Sequence, residues 1–248
     1  MSNHYNVFEW NNRAIASLQQ GSDVVIGISA FRGALVRLRE LLSKRDDYLG
    51  AMFKDEDTSK SSVTSNATRG SLLSSADICG ASRSLMRCSY SATGIKQDDD
   101  NQFRIFERVF AIHLQHERSI LTSVEIESLC SVTLLYNLGL CHQKKGLTNN
   151  SSQDLQLAAG LYHKAISLLN SIPCGYAENI LLILALFNNL GHIFAHNFDL
   201  AQARSCLSVM KDIVESEESC DLEEDEYQFF SWPVFLHPEQ SAPFAPAA

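Results

Sequence analysis

Two stretches, Leu135-Tyr136-Asn137-Leu138-Gly139-Leu140-Cys141-His142 and Phe187-Asn188-Asn189-Leu190-Gly191-His192-Ile193-Phe194, carry one order of large and small residues. Leu135, Leu138 and His142 recur at intervals of three and four, as do Phe187, Leu190 and Phe194, so each set occupies one face of a helix. Gly139 and Gly191 leave that face without a Cβ where a second helix must cross closely. Downstream, Ala158, Tyr162 and Ala165 alternate small and large at helical spacing, and Ala203, Leu207 and Met210 follow the same plan. Each copy therefore predicts a helical hairpin whose return helix lies in the notch left by the glycine.

This pattern resembles the tetratricopeptide repeat (TPR), a helix-turn-helix unit of ~34 residues marked by W-L-G-Y and then A-F-A. Leu135 and Phe187 stand where the repeat has Trp, and His142 and Phe194 where it has Tyr; all four still suit packing. The two Leu-Gly pairs lie further apart than one ordinary repeat. The excess falls in residues 148–154, whose Asn and Ser content predicts a surface loop, and in residues 169–184, which lengthen both flanking helices. Ile180, Leu181, Leu182, Ile183 and Leu184 are apolar on nearly every side, so that helix start is expected to be buried all round. Near the N-terminus Trp10, Ala14, Gly21, Gly27, Phe31 and Ala34 form a third, more divergent copy, with its return helix ending near residues 44–47.

The resemblance implies an all-α, TPR-like stack of antiparallel helical hairpins that acts as an interaction scaffold. Its organisation reads as a divergent hairpin over 1–45, a disordered Ser-rich insertion over 46–101, an extended segment over 102–121, two hairpins over 122–214, and an acidic loop with an aromatic tail over 215–248. Residues 46–101 lack the apolar periodicity that offsets ordering entropy. Phe106, Val109, Phe110 and Ile112 interrupt the polar region with aromatic and β-branched content, which suggests an extended segment or, as the competing reading, a helical turn. Thr122-Ser123-Val124-Glu125 then offers a capping box. Eight acidic residues between Glu215 and Glu226 read as a solvated loop. Tyr227, Phe229, Phe230, Trp232, Val234 and Phe235 are too aromatic to remain exposed, and Pro233 and Pro238 exclude a long helix there. One arrangement available to this tail is a minor two-stranded pairing of residues 104–112 with residues 228–235.

Composition narrows the function classes. A chain of 248 residues with 45% hydrophobic content can bury a sizeable core, and no apolar run approaches the ~20 residues needed to cross a bilayer. The formal charge of −9 disfavours nucleic acid and anionic membrane surfaces and leaves a protein or peptide as partner. Seven cysteines, an odd number with no C-x-x-C pair, together with a start that lacks secretory features, point to an intracellular setting, cytoplasmic or nuclear.

No nucleotide-loop or nucleophile-elbow motif is present, so neither a catalytic set nor a cofactor is expected. His192 and His196 share a helical face and His113 and His116 form another near pair, but neither pair has the further ligands that a zinc site requires. A regulatory subunit or small histidine-using, metal-dependent enzyme is the alternative function. In TPR proteins the first helices of successive hairpins line a concave groove that holds peptides. The resemblance therefore places Tyr136, Asn137, Leu140, Gln143, Asn188, Asn189, His192 and His196 at a partner-binding groove. Asn137 and Asn189 hold equivalent places, and their amides could meet a ligand's backbone with both a donor and an acceptor, or bond inside the repeat stack. The aromatic tail either blocks this groove or caps the core. The identity of the partner and the oligomeric state are not written in these motifs.

Overall fold

The computed structural model describes residues 2–19, 24–54, 86–89, 103–112, 123–172, 179–216 and 222–235. Among them are seven helices and one two-stranded ladder: α1 (Ser2–Gln19), α2 (Val24–Lys54), β1 (Met86–Ser89), β2 (Val109–Ile112), α3 (Ser123–Thr148), α4 (Ser152–Asn170), α5 (Ile180–His196), α6 (Leu200–Val214) and α7 (Glu224–Phe235). The class is all-α. Helices α1 and α2, α3 and α4, and α5 and α6 pack as successive hairpins, with α2 lying against α3, α4 against α5, and α7 closing the far end on α6.

Local chemistry sets these boundaries. The hydroxyl of Ser151 accepts the Asp154 N–H at 3.3 Å, and the carboxylate of Asp199 accepts the Gln202 N–H at 3.2 Å, so the return helices α4 and α6 each begin at a side-chain cap. Leu155, Ala158, Tyr162, Ala165 and Leu169 form the buried stripe of α4, and Ile180, Leu182, Ile183 and Leu184 are all buried at the start of α5. A Cβ on Gly139 would sit 2.6 Å from the Tyr162 ring, so here the glycine does admit the return helix. Trp10, by contrast, is half exposed and rests over Gly33.

Several expectations require correction. The loop within the second hairpin is only residues 149–151, because the Ser151 cap draws Asp154 into the first turn of α4, where it is buried. Helix α4 is not lengthened, since Ser171 and Ile172 already lie outside it. Helix α2 runs to Lys54, past the expected stop: Leu49, Ala51 and Met52 are good helix formers and no proline intervenes. The strand β1 falls within the stretch expected to be disordered. It pairs antiparallel with β2, from Met86 opposite Ile112 to Ser89 opposite Val109, so the pairing of residues 104–112 with residues 228–235 does not occur. Those tail residues are helical instead. Pro233 lies in the last turn of α7, where it removes the bond to the Phe229 carbonyl but has only two helical residues beyond it to disturb, while Glu224, Asp225 and Glu226 favour the first turn through the helix dipole. The acidic run is therefore only partly loop.

The stretch Val124–Thr148 is long and apolar enough to cross a membrane by length and composition, contrary to the reading of the bare sequence, but 72% of its most apolar window is buried inside this fold. The rest of the Ser-rich insertion, Gly21, His113, His116, Thr122 and the terminal residues 236–248 lie outside the described residues.

Candidate interaction face

Residues 103–112 run extended across the first helices of all three hairpins, and asparagine side chains hold their backbone. In α5, Asn189 accepts the Phe106 N–H at 2.8 Å and donates to the Phe106 carbonyl at 3.0 Å. In α3, Asn137 accepts the Phe110 N–H at 3.0 Å and donates to the Phe110 carbonyl at 2.9 Å. In α1, Asn12 accepts the Ile112 N–H at 3.2 Å and donates to the Ile112 carbonyl at 3.0 Å. A carboxamide presents one acceptor and one donor side by side, as a peptide group does, so each asparagine stands in for a neighbouring strand. In extended backbone the N–H and C=O of alternate residues point to the same edge. The even-numbered residues face the helices, while β1 pairs with β2 alongside.

Other side chains complete this edge. The Tyr136 hydroxyl lies 2.9 Å from the Phe106 carbonyl and 3.1 Å from that of Arg108, and it accepts from Asn189 at 3.3 Å. Asn11 donates to the Phe110 carbonyl at 3.2 Å and accepts from Asn137 at 3.0 Å. Asn188 donates to the Arg104 carbonyl at 2.6 Å, but its own oxygen is buried with no hydrogen-bond partner among the described residues.

The side chains of the segment are seated as firmly as its backbone. Phe103 occupies the space that a Cβ on Gly191 would need, so this second glycine accommodates the extended segment rather than a crossing helix. Phe106 meets Phe230 and Phe229 of α7 at ring separations of 4.9 and 5.4 Å, and Phe110 stands edge-on to Tyr136 at 5.0 Å. Arg108 pairs with Asp225 and Glu226 at the start of α7. This guanidinium holds the Asp225 carboxyl below its usual range. Burial nevertheless outweighs Arg108 at Glu226 and pushes that carboxyl up.

Seven of the eight expected groove residues, Tyr136, Asn137, Leu140, Gln143, Asn188, Asn189 and His192, are buried, and His196 is exposed. Tyr136, Asn137, Asn188 and Asn189 meet the segment directly. Gln143 instead joins elements: it donates to the Asn189 carbonyl and to His192 Nδ1, each at 3.3 Å, and accepts from the Tyr162 hydroxyl at 2.8 Å. His196 stacks on His192. Asn11 and Asn12 were missed, although a signal was present. Each clamping asparagine precedes the small crossing residue by two positions: Asn137 before Gly139, Asn189 before Gly191, and Asn12 before Ala14. The occupant of the face is not the aromatic tail, which packs behind Phe106.

A second polar cluster joins the first two hairpins. His142 Nδ1 lies 2.8 Å from Asp154, and its Nε2 lies 3.2 Å from the Arg32 guanidinium. Because a guanidinium only donates, Nε2 must accept and Nδ1 carries the proton given to Asp154. Lys145 also reaches Asp154 at 2.8 Å, and this bond leads the interactions that lower the Asp154 pKa. This acid, expected in a surface loop, is instead held between α3 and α4. Among the described residues no three His, Cys, Asp or Glu side chains gather as a metal site. Burial raises the thiols of Cys130, Cys141 and Cys206, the last two to about 12, which makes them poor nucleophiles. Cys79, Cys174 and Cys220, and the side chain of Cys88, lie outside what is described.

No protein-family model, no curated protein and no solved structure matches this chain.

Proposed function

We propose that this protein is an interaction scaffold of TPR-like helical hairpins that recognises extended polypeptide through the asparagine-bearing face of α1, α3 and α5, without catalysing a reaction. The observation that carries this reading is the bidentate hold of Asn12, Asn137 and Asn189 on one extended backbone. Recognition of a peptide by main-chain hydrogen bonds supplies affinity, and pockets for alternate side chains supply selectivity. Both features occur on this face. His142, a group suited to acid–base chemistry, is buried with both ring nitrogens engaged by Asp154 and Arg32.

The test is affinity capture with the immobilised full chain and with its Asn137→Ala/Asn189→Ala variant, each shown to melt cooperatively. Partners that use the face are recovered by the first and lost by the second. Equal recovery of every partner by both folded proteins would move the interaction to the outer helices.

A further inference from the structure

We infer that residues 103–112 are an internal pseudo-ligand, and that the face they cover takes, in exchange for them, an extended segment of another protein with a matching pattern. That pattern has aromatic residues at the places of Phe103, Phe106 and Phe110 and a cation at the place of Arg108. The inference rests on the scaffold reading above and deepens it by naming the ligand chemistry.

Three observations support it. The asparagines read backbone, so their bonds do not depend on which chain supplies it. The side-chain seats do discriminate: the Gly191 notch takes one ring, the Phe229–Phe230 pair a second and Tyr136 a third, while Asp225 and Glu226 select a positive charge. The internal segment also fits incompletely. Asn188 donates to the Arg104 carbonyl but its buried oxygen has no hydrogen-bond partner among the described residues, so this amide makes half of the clamp that Asn12, Asn137 and Asn189 complete. A buried acceptor without a partner is costly. A ligand with an N–H at this point and further positive charge opposite the two carboxylates would bind better than the resident segment. A second copy of the chain carries the same imperfect segment and gains nothing by exchange, which points to a different protein.

An internal ligand competes at high effective concentration, so an external peptide is expected to bind the wild type weakly. The decisive material is the full chain with Phe106→Ala/Phe110→Ala, which weakens the resident segment and leaves every asparagine in place. A fluorescent peptide with the sequence of residues 103–112 should bind this variant at least about tenfold more tightly than it binds wild type. A scrambled peptide should not bind, and adding Asn137→Ala should abolish the gain. If the variant does not fold alone, the peptide should restore its cooperative melting while the scrambled one does not. A folded variant that ignores the peptide, or an unfolded one that it cannot rescue, would overturn the inference and make the segment a fixed part of the core. The scaffold reading fails separately, since a scaffold that docks partners on its outer helices would still capture them while showing no peptide binding.

Discussion

At the scale of single residues, the two glycines that first suggested a repeat turn out to serve different neighbours. Gly139 makes room for Tyr162 of the return helix, whereas Gly191 makes room for Phe103 of the segment that crosses the hairpins. The difference is testable because Phe103 is almost wholly buried and its ring cannot swing into solvent. Gly191→Ala gains helix propensity worth about 0.5–1 kcal/mol but overpacks the site by about 1–3 kcal/mol, so net destabilisation is expected. Phe103→Leu alone also destabilises by opening space. Combined, the two changes relieve one another, with a coupling of about 1 kcal/mol or more in denaturant unfolding. Strict additivity would show that the Phe103 ring does not fill the notch.

Among elements, the hairpins were the most legible, because a buried stripe such as Leu155, Ala158, Tyr162 and Ala165 announces itself through local spacing. Residues 103–112 were legible as extended, but their partners were not: the edge of a strand held by carboxamides from helices far away in sequence leaves no periodic trace. Asn137 and Asn189 could be paired by their place before a Leu-Gly step, while Asn12 was hidden because its copy was aligned on Trp10 and Gly21. Helix α7 was obscured by Pro233, which sits so close to the C-terminal end that the turns before it form undisturbed. The end of α5 offers a sharper test of how an element closes. Phe198 follows that helix with φ of +60° and is 88% exposed, so a bulky residue holds a left-handed conformation without packing in return. Glycine is the usual residue at such a position. Phe198→Gly is expected to raise stability by about 1 kcal/mol, the relief of strain exceeding the added freedom of the unfolded chain. A thermal midpoint that falls instead would mean that the exposed ring contributes to the fold.

For the whole molecule, acidic composition and paired carboxyls together shape the dependence of stability on pH. Asp154 ties α3 to α4 through Lys145 and His142, and Asp225 ties α7 to the crossing segment through Arg108. Both have pKa values lowered from 3.8, Asp154 chiefly by the Lys145 hydrogen bond and Asp225 chiefly by that of Arg108. Their stabilisation is present above that value and is lost as pH falls through the lowered folded values. Glu226 acts in the opposite sense: burial raises its pKa above 4.5, so the folded state binds this proton more tightly than the unfolded chain does. Above the raised value the ionised carboxylate costs stability, and that cost is relieved as pH falls toward 4.5. Stability should therefore rise on mild acidification from neutrality, helped by the shrinking of a net charge of −9, and then fall once the aspartates take protons. Glu226→Gln removes the titrating group while keeping its size. In a series of urea midpoints, this variant should gain stability at neutral pH and flatten the mildly acidic rise, leaving the loss at lower pH unchanged. A wild-type slope retained in full by the variant would assign the rise to the global charge alone and take Glu226 out of the account.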